Sequence, residues 1–114
     1  MKACFIGLGY IGLPTAILAA RHGVDIIGVD INEEVVELTN QGKLHIVEPG
    51  MEKVLQEVLA KGMFKAFTQP KTADAFFIVV PTPFKAGRKP DTSYVESATR
   101  TVIPYLKEGD LFVI

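Results

Sequence analysis

Cysteine is almost absent from this sequence, which contains only Cys4. A single thiol excludes an intramolecular disulfide and a cysteine-based metal site, and it favours a reducing, cytoplasmic location. Long apolar runs are also missing: no stretch approaches the roughly 20 residues that a membrane-spanning helix needs. The apolar run at the N-terminus is too short for a signal peptide. We therefore expect no membrane partner.

The sequence also lacks an excess of either charge. It has 12 lysines and arginines against 13 aspartates and glutamates, for a formal net charge of −1. This balance gives no electrostatic reason to expect a nucleic-acid partner. Its two histidines, His22 and His45, have no further ligand at metal-binding spacing. We therefore interpret both as surface residues and expect no metal site.

The 114 residues, 48% of them hydrophobic, suffice for one domain with a core. Buried-type apolar runs predict strands at 3–6, 24–29, 64–68, 75–80 and 111–114. Helical periodicity and capping residues predict helices at 11–21, between Asn32 and Gly42, and between Pro49 and Gly62. A fourth helix is predicted from Ser93 towards Leu106, with a kink or an early end near Pro104. This alternation predicts an α/β domain over residues 1–114, a Rossmann-type doubly wound parallel sheet in three αβα layers. Cys4 falls in the first strand and is expected in the core.

A glycine turn, Gly7–Leu8–Gly9–Tyr10–Ile11–Gly12, joins the first predicted strand to the first predicted helix. Gly7 would permit a sharp turn, Gly9 a close approach of the backbone to a pyrophosphate, and Gly12 close packing of the helix on the sheet. The amides around Tyr10 and Ile11 would point at the phosphates, helped by the helix dipole. A G-x-G-x-x-G pattern alone is weak evidence, but here it lies within a complete strand–helix–strand unit.

The second strand of that unit ends at Asp30, 18 residues after Gly12. The dinucleotide-binding fingerprint has an acid roughly 20 residues after its glycines. Asp30 would accept hydrogen bonds from the adenosine ribose, and its charge would repel the 2′-phosphate of NADP, so the predicted cofactor is NAD. Two alternatives stay open. The glycines could form only a tight turn with Asp30 solvated, and domains that bind FAD or S-adenosylmethionine share this architecture.

The remaining candidates give no catalytic site. Pro81–Thr82–Pro83 ends the strand at 75–80, at the edge where open α/β sheets bind ligands, but taken alone it indicates only a rigid loop. Glu48 is interpreted as a helix-start residue. No nucleophile–base pair or acid–base dyad can be assembled from these positions.

Several strings together resemble the N-terminal domain of the UDP-glucose/GDP-mannose dehydrogenase family. They are GLGYIGLP at 7–14, VDIN at 29–32, HIVEPG at 45–50 and VPTP at 80–83. The longer strings VPTPFK at 80–85 and PDTSYVE at 90–96 are most similar to the branch that oxidises UDP-N-acetyl-D-mannosamine. The resemblance covers essentially all of the chain. Its motifs are modest singly and specific jointly.

The resemblance implies an NAD-dependent, two-step oxidation of the 6-hydroxyl of a UDP-sugar to a carboxylate for surface polysaccharide, with two NAD consumed per sugar. By position, Tyr10, Ile11, Asp30 and Thr82 match the family's cofactor contacts. The chain departs from some members at Val35, where they carry a basic residue. The resemblance also implies a homodimer in the full-length protein.

The family's catalytic cysteine, lysine and acids are expected beyond Ile114, and Cys4 does not match that cysteine. We therefore expect residues 1–114 to be a fragment that binds NAD weakly and without turnover, with the central and C-terminal UDP-sugar domains absent. Two alternatives remain. One is a stand-alone NAD-sensing regulatory module, and the other is the Rossmann domain of a different NAD(P) dehydrogenase.

Overall fold

A five-stranded parallel sheet forms the centre of the described part of the protein. The structure is a computed structural model that describes residues 1–9, 11–45, 49–79, 93–107 and 109–113. Of residues 93–95 it describes only the backbone. The strands are β1 (Lys2–Ile6), β2 (Asp25–Val29), β3 (Phe64–Phe67), β4 (Ala75–Ile78) and β5 (Leu111–Val113). The helices are α1 (Gly12–Arg21), α2 (Glu33–Asn40), α3 (Met51–Ala60) and α4 (Ser93–Val102), and a 3₁₀ turn, Ile103–Tyr105, follows α4.

The strand order is β3-β2-β1-β4-β5, with every pair parallel. The chain builds outwards from β1 to β3, then returns across the sheet to β4 and builds outwards again to β5. The order therefore reverses between β1 and β4, which is where open α/β sheets bind ligands. The predicted doubly wound α/β fold is confirmed.

Alternate residues of the strands supply two separate cores, because successive side chains point to opposite faces. On one face, Phe5 stacks on Phe77 with ring centroids 4.8 Å apart, and the apolar sides of α1 and α3 cover the sheet. On the other face, Cys4 and Phe76 pack with Val102 of α4. Helices on both faces give the three αβα layers that the sequence predicts.

The helix ends follow their local chemistry. The side chain of Asn32 accepts hydrogen bonds from the amides of Glu34 and Val35 at 3.0 and 3.4 Å, and so caps α2 as predicted. Gly50 takes a left-handed conformation with φ of 77°, so α3 begins at Met51 rather than at the predicted Pro49. Helix α4 gives way to the 3₁₀ turn beside Pro104, which is the predicted early end.

A side chain from α2 pairs with the free edge of β3. The Asn40 side-chain amide donates to the carbonyl oxygen of Ala66 at 2.9 Å, and its oxygen accepts from the Ala66 amide at 2.8 Å. Since β3 is an edge strand, this pair satisfies backbone groups that have no neighbouring strand to bond. It also fixes the C-terminal end of α2 relative to the sheet.

Asn40→Ala should lower the free energy of unfolding by about 1–3 kcal/mol, because both backbone groups of Ala66 lose their partner. Asn40→Asp should also destabilise, since a carboxylate cannot donate to the Ala66 carbonyl. Urea denaturation measures the free energy of unfolding of both variants. The control is Gln41→Ala, an amide next in sequence with an exposed side chain. An Asn40→Ala effect no larger than that of Gln41→Ala would contradict this role.

Candidate functional site

A cleft of about 520 Å³ lies at the carboxyl ends of β1, β2 and β4. The glycine turn forms one wall, the turn after β2 a second, and α4 a third. The lining residues used below are Gly9, Asp30, Ile31, Val35, His45 and Ala98. Parallel strands all end at this edge, so residues distant in sequence meet here.

Two glycines of the turn are required by the fold itself. Gly7 has φ of 107° and donates its amide to the carbonyl oxygen of Val29 at 2.7 Å. An L-residue rarely adopts that φ. A Cβ atom built on Gly12 would lie 2.1 Å from the carbonyl oxygen of Gly7 and 3.4 Å from Cβ of Val79. A Cβ atom on Gly12 would therefore come closest to the turn's own backbone and next closest to Val79, the residue that follows β4.

Gly9 differs from both. Its φ lies outside the left-handed range, and a Cβ atom built on it would meet nothing within 4 Å among the described residues. Gly9 nevertheless lines the cleft. The packing of the described chain gives no reason for a glycine here, whereas a ligand that approaches the backbone closely does.

The N-terminus of α1 directly follows the glycine turn that borders the cleft. Ile11 occupies the N-cap position, and no side chain caps the helix there. Among the described residues, the amide of Leu13 donates to the Gly9 carbonyl oxygen at 3.0 Å. The earliest amides of any helix have no intrahelical acceptor and lie at the positive end of the dipole, so this end suits an anion. Ile11 itself has an exposed side chain.

Asp30 is held by the backbone on both sides of the cleft floor. Its Oδ2 accepts from the amide of Leu8 at 3.1 Å, and its Oδ1 accepts from the amide of Asn32 at 3.0 Å. The carboxylate is half-buried and borders the cleft. Each oxygen keeps a further lone pair for a ligand hydroxyl. One side chain thus joins the turn after β1 to the turn after β2.

The wall beside Asp30 is apolar. Ile31 is 87% exposed, although a side chain of this type is usually buried, and Val35 and Ala98 line the cleft nearby. Val35 carries no charge, and no lysine or arginine is among the described lining residues. Such a wall suits the flat face of a nucleobase.

His45 contributes a contact that the sequence does not reveal. It is exposed, as expected of a surface residue, but its Nε2 forms a hydrogen bond with the carbonyl oxygen of Leu8 at 2.5 Å. The two residues are 37 apart in sequence. No local pattern signals this pairing, because it depends on how the segment after α2 returns to the turn.

Other candidates lie outside the site or outside the described residues. Cys4 is fully buried in the core, and burial raises the pKa of its thiol to about 11, so it is no nucleophile. Tyr10, Glu48 and Thr82 lie outside the described residues. Within the described ranges no group of histidine, cysteine and acidic side chains could hold a metal ion. No helix in that part of the chain is long and apolar enough to cross a membrane.

Comparison with known proteins gives a consistent result. A model of the "UDP-glucose/GDP-mannose dehydrogenase family, NAD binding domain" matches residues 1–114. The chain is 48% identical over 114 residues to UDP-N-acetyl-D-mannosamine dehydrogenase of Campylobacter jejuni, covering 99% of this chain and 28% of that protein. It is 50% identical over 109 residues to NDP-N-acetyl-D-galactosaminuronic acid dehydrogenase of Ralstonia nicotianae, covering 96% of this chain and 26% of that protein. The chain thus spans about a quarter of the length of these curated relatives.

Solved structures agree with that match. UDP-N-acetyl-mannosamine dehydrogenase of Staphylococcus aureus superposes with a TM-score of 0.96 at 44% identity, covering 99% of this chain and 28% of that one. A ternary complex of GDP-mannose dehydrogenase from Pseudomonas aeruginosa superposes with a TM-score of 0.86 at 37% identity, covering 90% of this chain and 24% of that one. The predicted cofactor, NAD, and the Rossmann-type fold are confirmed by these matches.

Gly9→Ala should weaken NAD binding at least about tenfold, because the added methyl group would occupy the space predicted for the pyrophosphate. Its melting temperature should change little, since the methyl group meets no described atom and the φ is ordinary. Calorimetric titration with NAD and thermal unfolding measure the two effects in the full protein.

Gly12→Ala is the matched control for Gly9→Ala. The same methyl group there meets the Gly7 carbonyl oxygen at 2.1 Å, so stability should fall by about 1–3 kcal/mol or more. If Gly9→Ala instead lost stability as Gly12→Ala does and kept its affinity for NAD, Gly9 would have a structural role only.

Proposed function

The chain belongs to the UDP-glucose/GDP-mannose dehydrogenase family as its NAD-binding domain, and on that premise we propose that the whole protein oxidises the C6 alcohol of a UDP-sugar to a carboxylate. The proposed substrate is UDP-N-acetyl-D-mannosamine, and the product is a uronic acid for surface polysaccharide. The mannosamine dehydrogenases to which the chain is similar support this choice. The observation that carries the proposal is the presence of a glycine at position 9 in the cleft. A ligand close to the backbone explains this glycine, whereas the packing of the described residues does not.

We assign the residues of the cleft to parts of the cofactor by their chemistry. Gly7, Gly9 and Gly12 shape the turn, and the amides of Gly9 and the first turn of α1 donate to the pyrophosphate. The carboxylate of Asp30 accepts from the ribose hydroxyls while two backbone amides fix its orientation. The bound NAD supplies the acceptor for hydride.

Tyr10, Ile11 and Thr82 complete the proposed set of contacts to NAD. The amide of Ile11 stands at the N-cap of α1, which supports its assignment to the phosphates. Tyr10 and Thr82 are assigned by the family resemblance alone, since both lie outside the described residues.

The proposed preference for NAD over NADP follows from charge. A 2′-phosphate would lie against the Asp30 carboxylate. Two negative charges in contact repel strongly where water is partly excluded. No lysine or arginine among the described lining residues could offset the repulsion. Val35 lies where a cation would be needed.

The oxidation chemistry is proposed to depend on residues beyond this domain. The only thiol is buried with a raised pKa, and the described part of the cleft contains no second acid beside Asp30. The chain spans about a quarter of its relatives, which leaves room in such proteins for sugar-binding domains. We further propose that the whole protein is a homodimer in the cytoplasm.

The full protein should reduce NAD when given UDP-N-acetyl-D-mannosamine, with two NADH formed per sugar, as measured by absorbance at 340 nm. UDP-N-acetyl-D-galactosamine, UDP-glucose and GDP-mannose should react more slowly. Oxidation of simple hydroxy acids instead would indicate a different NAD(P) dehydrogenase. Binding of NAD without turnover of any sugar would favour the stand-alone NAD-sensing module.

Asp30→Asn should lower the ratio of the NADP to the NAD dissociation constant by roughly tenfold, because it removes the charge that repels a 2′-phosphate. The ratio is the useful measurement, since the loss of a backbone hydrogen bond at Asp30 also affects stability. The control is Glu33→Gln, which removes the same charge from an exposed position in the first turn of α2. An unchanged ratio in Asp30→Asn would remove this side chain from the ribose site.

A further inference from the structure

We propose that His45 is a positioning residue of the cofactor site, which aims the amide of Gly9 at the pyrophosphate by holding the carbonyl of Leu8. This inference rests on the proposed placement of NAD in the cleft. It extends that proposal to a residue that lies far from the glycine turn in sequence.

The hydrogen bond has a defined direction. The carbonyl oxygen of Leu8 can only accept, so Nε2 of His45 donates and must carry a proton. The imidazole ring therefore draws the Leu8 carbonyl towards itself, on the side of the turn that faces the segment after α2.

The planarity of the peptide bond transmits this effect to Gly9. The carbonyl of Leu8 and the amide of Gly9 belong to one peptide group, and in a trans peptide the C=O and N–H point in opposite directions. Fixing the carbonyl on His45 therefore turns the Gly9 N–H away from His45. Open space surrounds the Cα of Gly9 on its Cβ side, among the described atoms, and Gly9 borders the cleft.

The peptide between Leu8 and Gly9 needs such a hold more than the preceding peptide does. The preceding peptide is fixed because the Leu8 amide donates to Asp30, and the side chain of Leu8 is fully buried. Gly9, by contrast, has no Cβ, so its φ is free to vary and the peptide before it can rotate at little cost. Without the bond to His45, the Gly9 amide would sample orientations that cannot donate to the ligand. The bond restricts this freedom before the ligand arrives.

The test compares ligands with and without a pyrophosphate. In the full protein, His45→Leu should weaken ADP and NAD about tenfold, because the amide of Gly9 is no longer held in its donating orientation. Adenosine, which has the ribose and base but no phosphate, should bind within about twofold of wild type. Calorimetry measures the dissociation constants of ADP and NAD, and NMR titration measures that of adenosine, the weaker ligand.

Two amide variants provide the matched control. His45→Gln places a side-chain NH₂ near the position of Nε2 and should restore most of the affinity for ADP. His45→Asn is one methylene shorter, cannot reach the Leu8 carbonyl in the same way, and should behave as His45→Leu does. This comparison holds side-chain polarity constant, so it remains decisive even if His45→Leu is unstable.

Specific outcomes would overturn the inference. Unchanged ADP binding in both His45→Leu and His45→Asn would show that the hydrogen bond does not position the Gly9 amide. Equal weakening of adenosine and ADP would show that His45 supports the cleft as a whole, which is a structural role. A wild-type protein that binds neither ADP nor NAD would overturn the proposed function together with this inference.

Discussion

The carboxylate of Asp30 is the constraint on which the rest of the site depends, because two backbone amides from separate turns converge on it. This is possible because β1 and β2 are parallel neighbours, with Ile6 opposite Val29, so their carboxyl ends adjoin. The acid therefore fixes the glycine turn relative to the start of α2 with or without a ligand. Its position at the end of β2 therefore has a structural reason as well as the proposed binding one.

The three glycines of the turn have different causes, although a sequence motif treats them alike. Gly7 is required by its left-handed backbone and Gly12 by the carbonyl that lies against its Cα. Both requirements come from the turn's own backbone, so these two glycines say little about function. Gly9 satisfies no such requirement within the described structure. Gly9 and the acid Asp30, which both line the cleft, are therefore the two positions that point most directly to a ligand.

Local sequence predicted what local chemistry determines. Apolar runs located every strand, the Asn32 cap located α2, and Pro104 located the end of α4, with boundaries that differ by one or two residues. The bonds from Asn40 to Ala66 and from His45 to Leu8 could not be predicted, because they join residues 26 and 37 apart whose meeting depends on the path from α2 to α3. The contacts assigned to Tyr10 and Thr82 lie outside the described residues and stay predictions.

The lack of a side chain at Gly9 creates both the binding space and the need for a restraint. A residue with a Cβ would limit its own φ and hold the preceding peptide in place, but its side chain would occupy the space for the pyrophosphate. Glycine leaves that space open and gives up the restraint. The restraint must then come from elsewhere, and the structure supplies it on both sides of Leu8, through Asp30 at the amide and His45 at the carbonyl. Of the two, only His45 bonds the peptide group that carries the Gly9 amide, so a site that uses Gly9 as a donor depends on a partner of this kind.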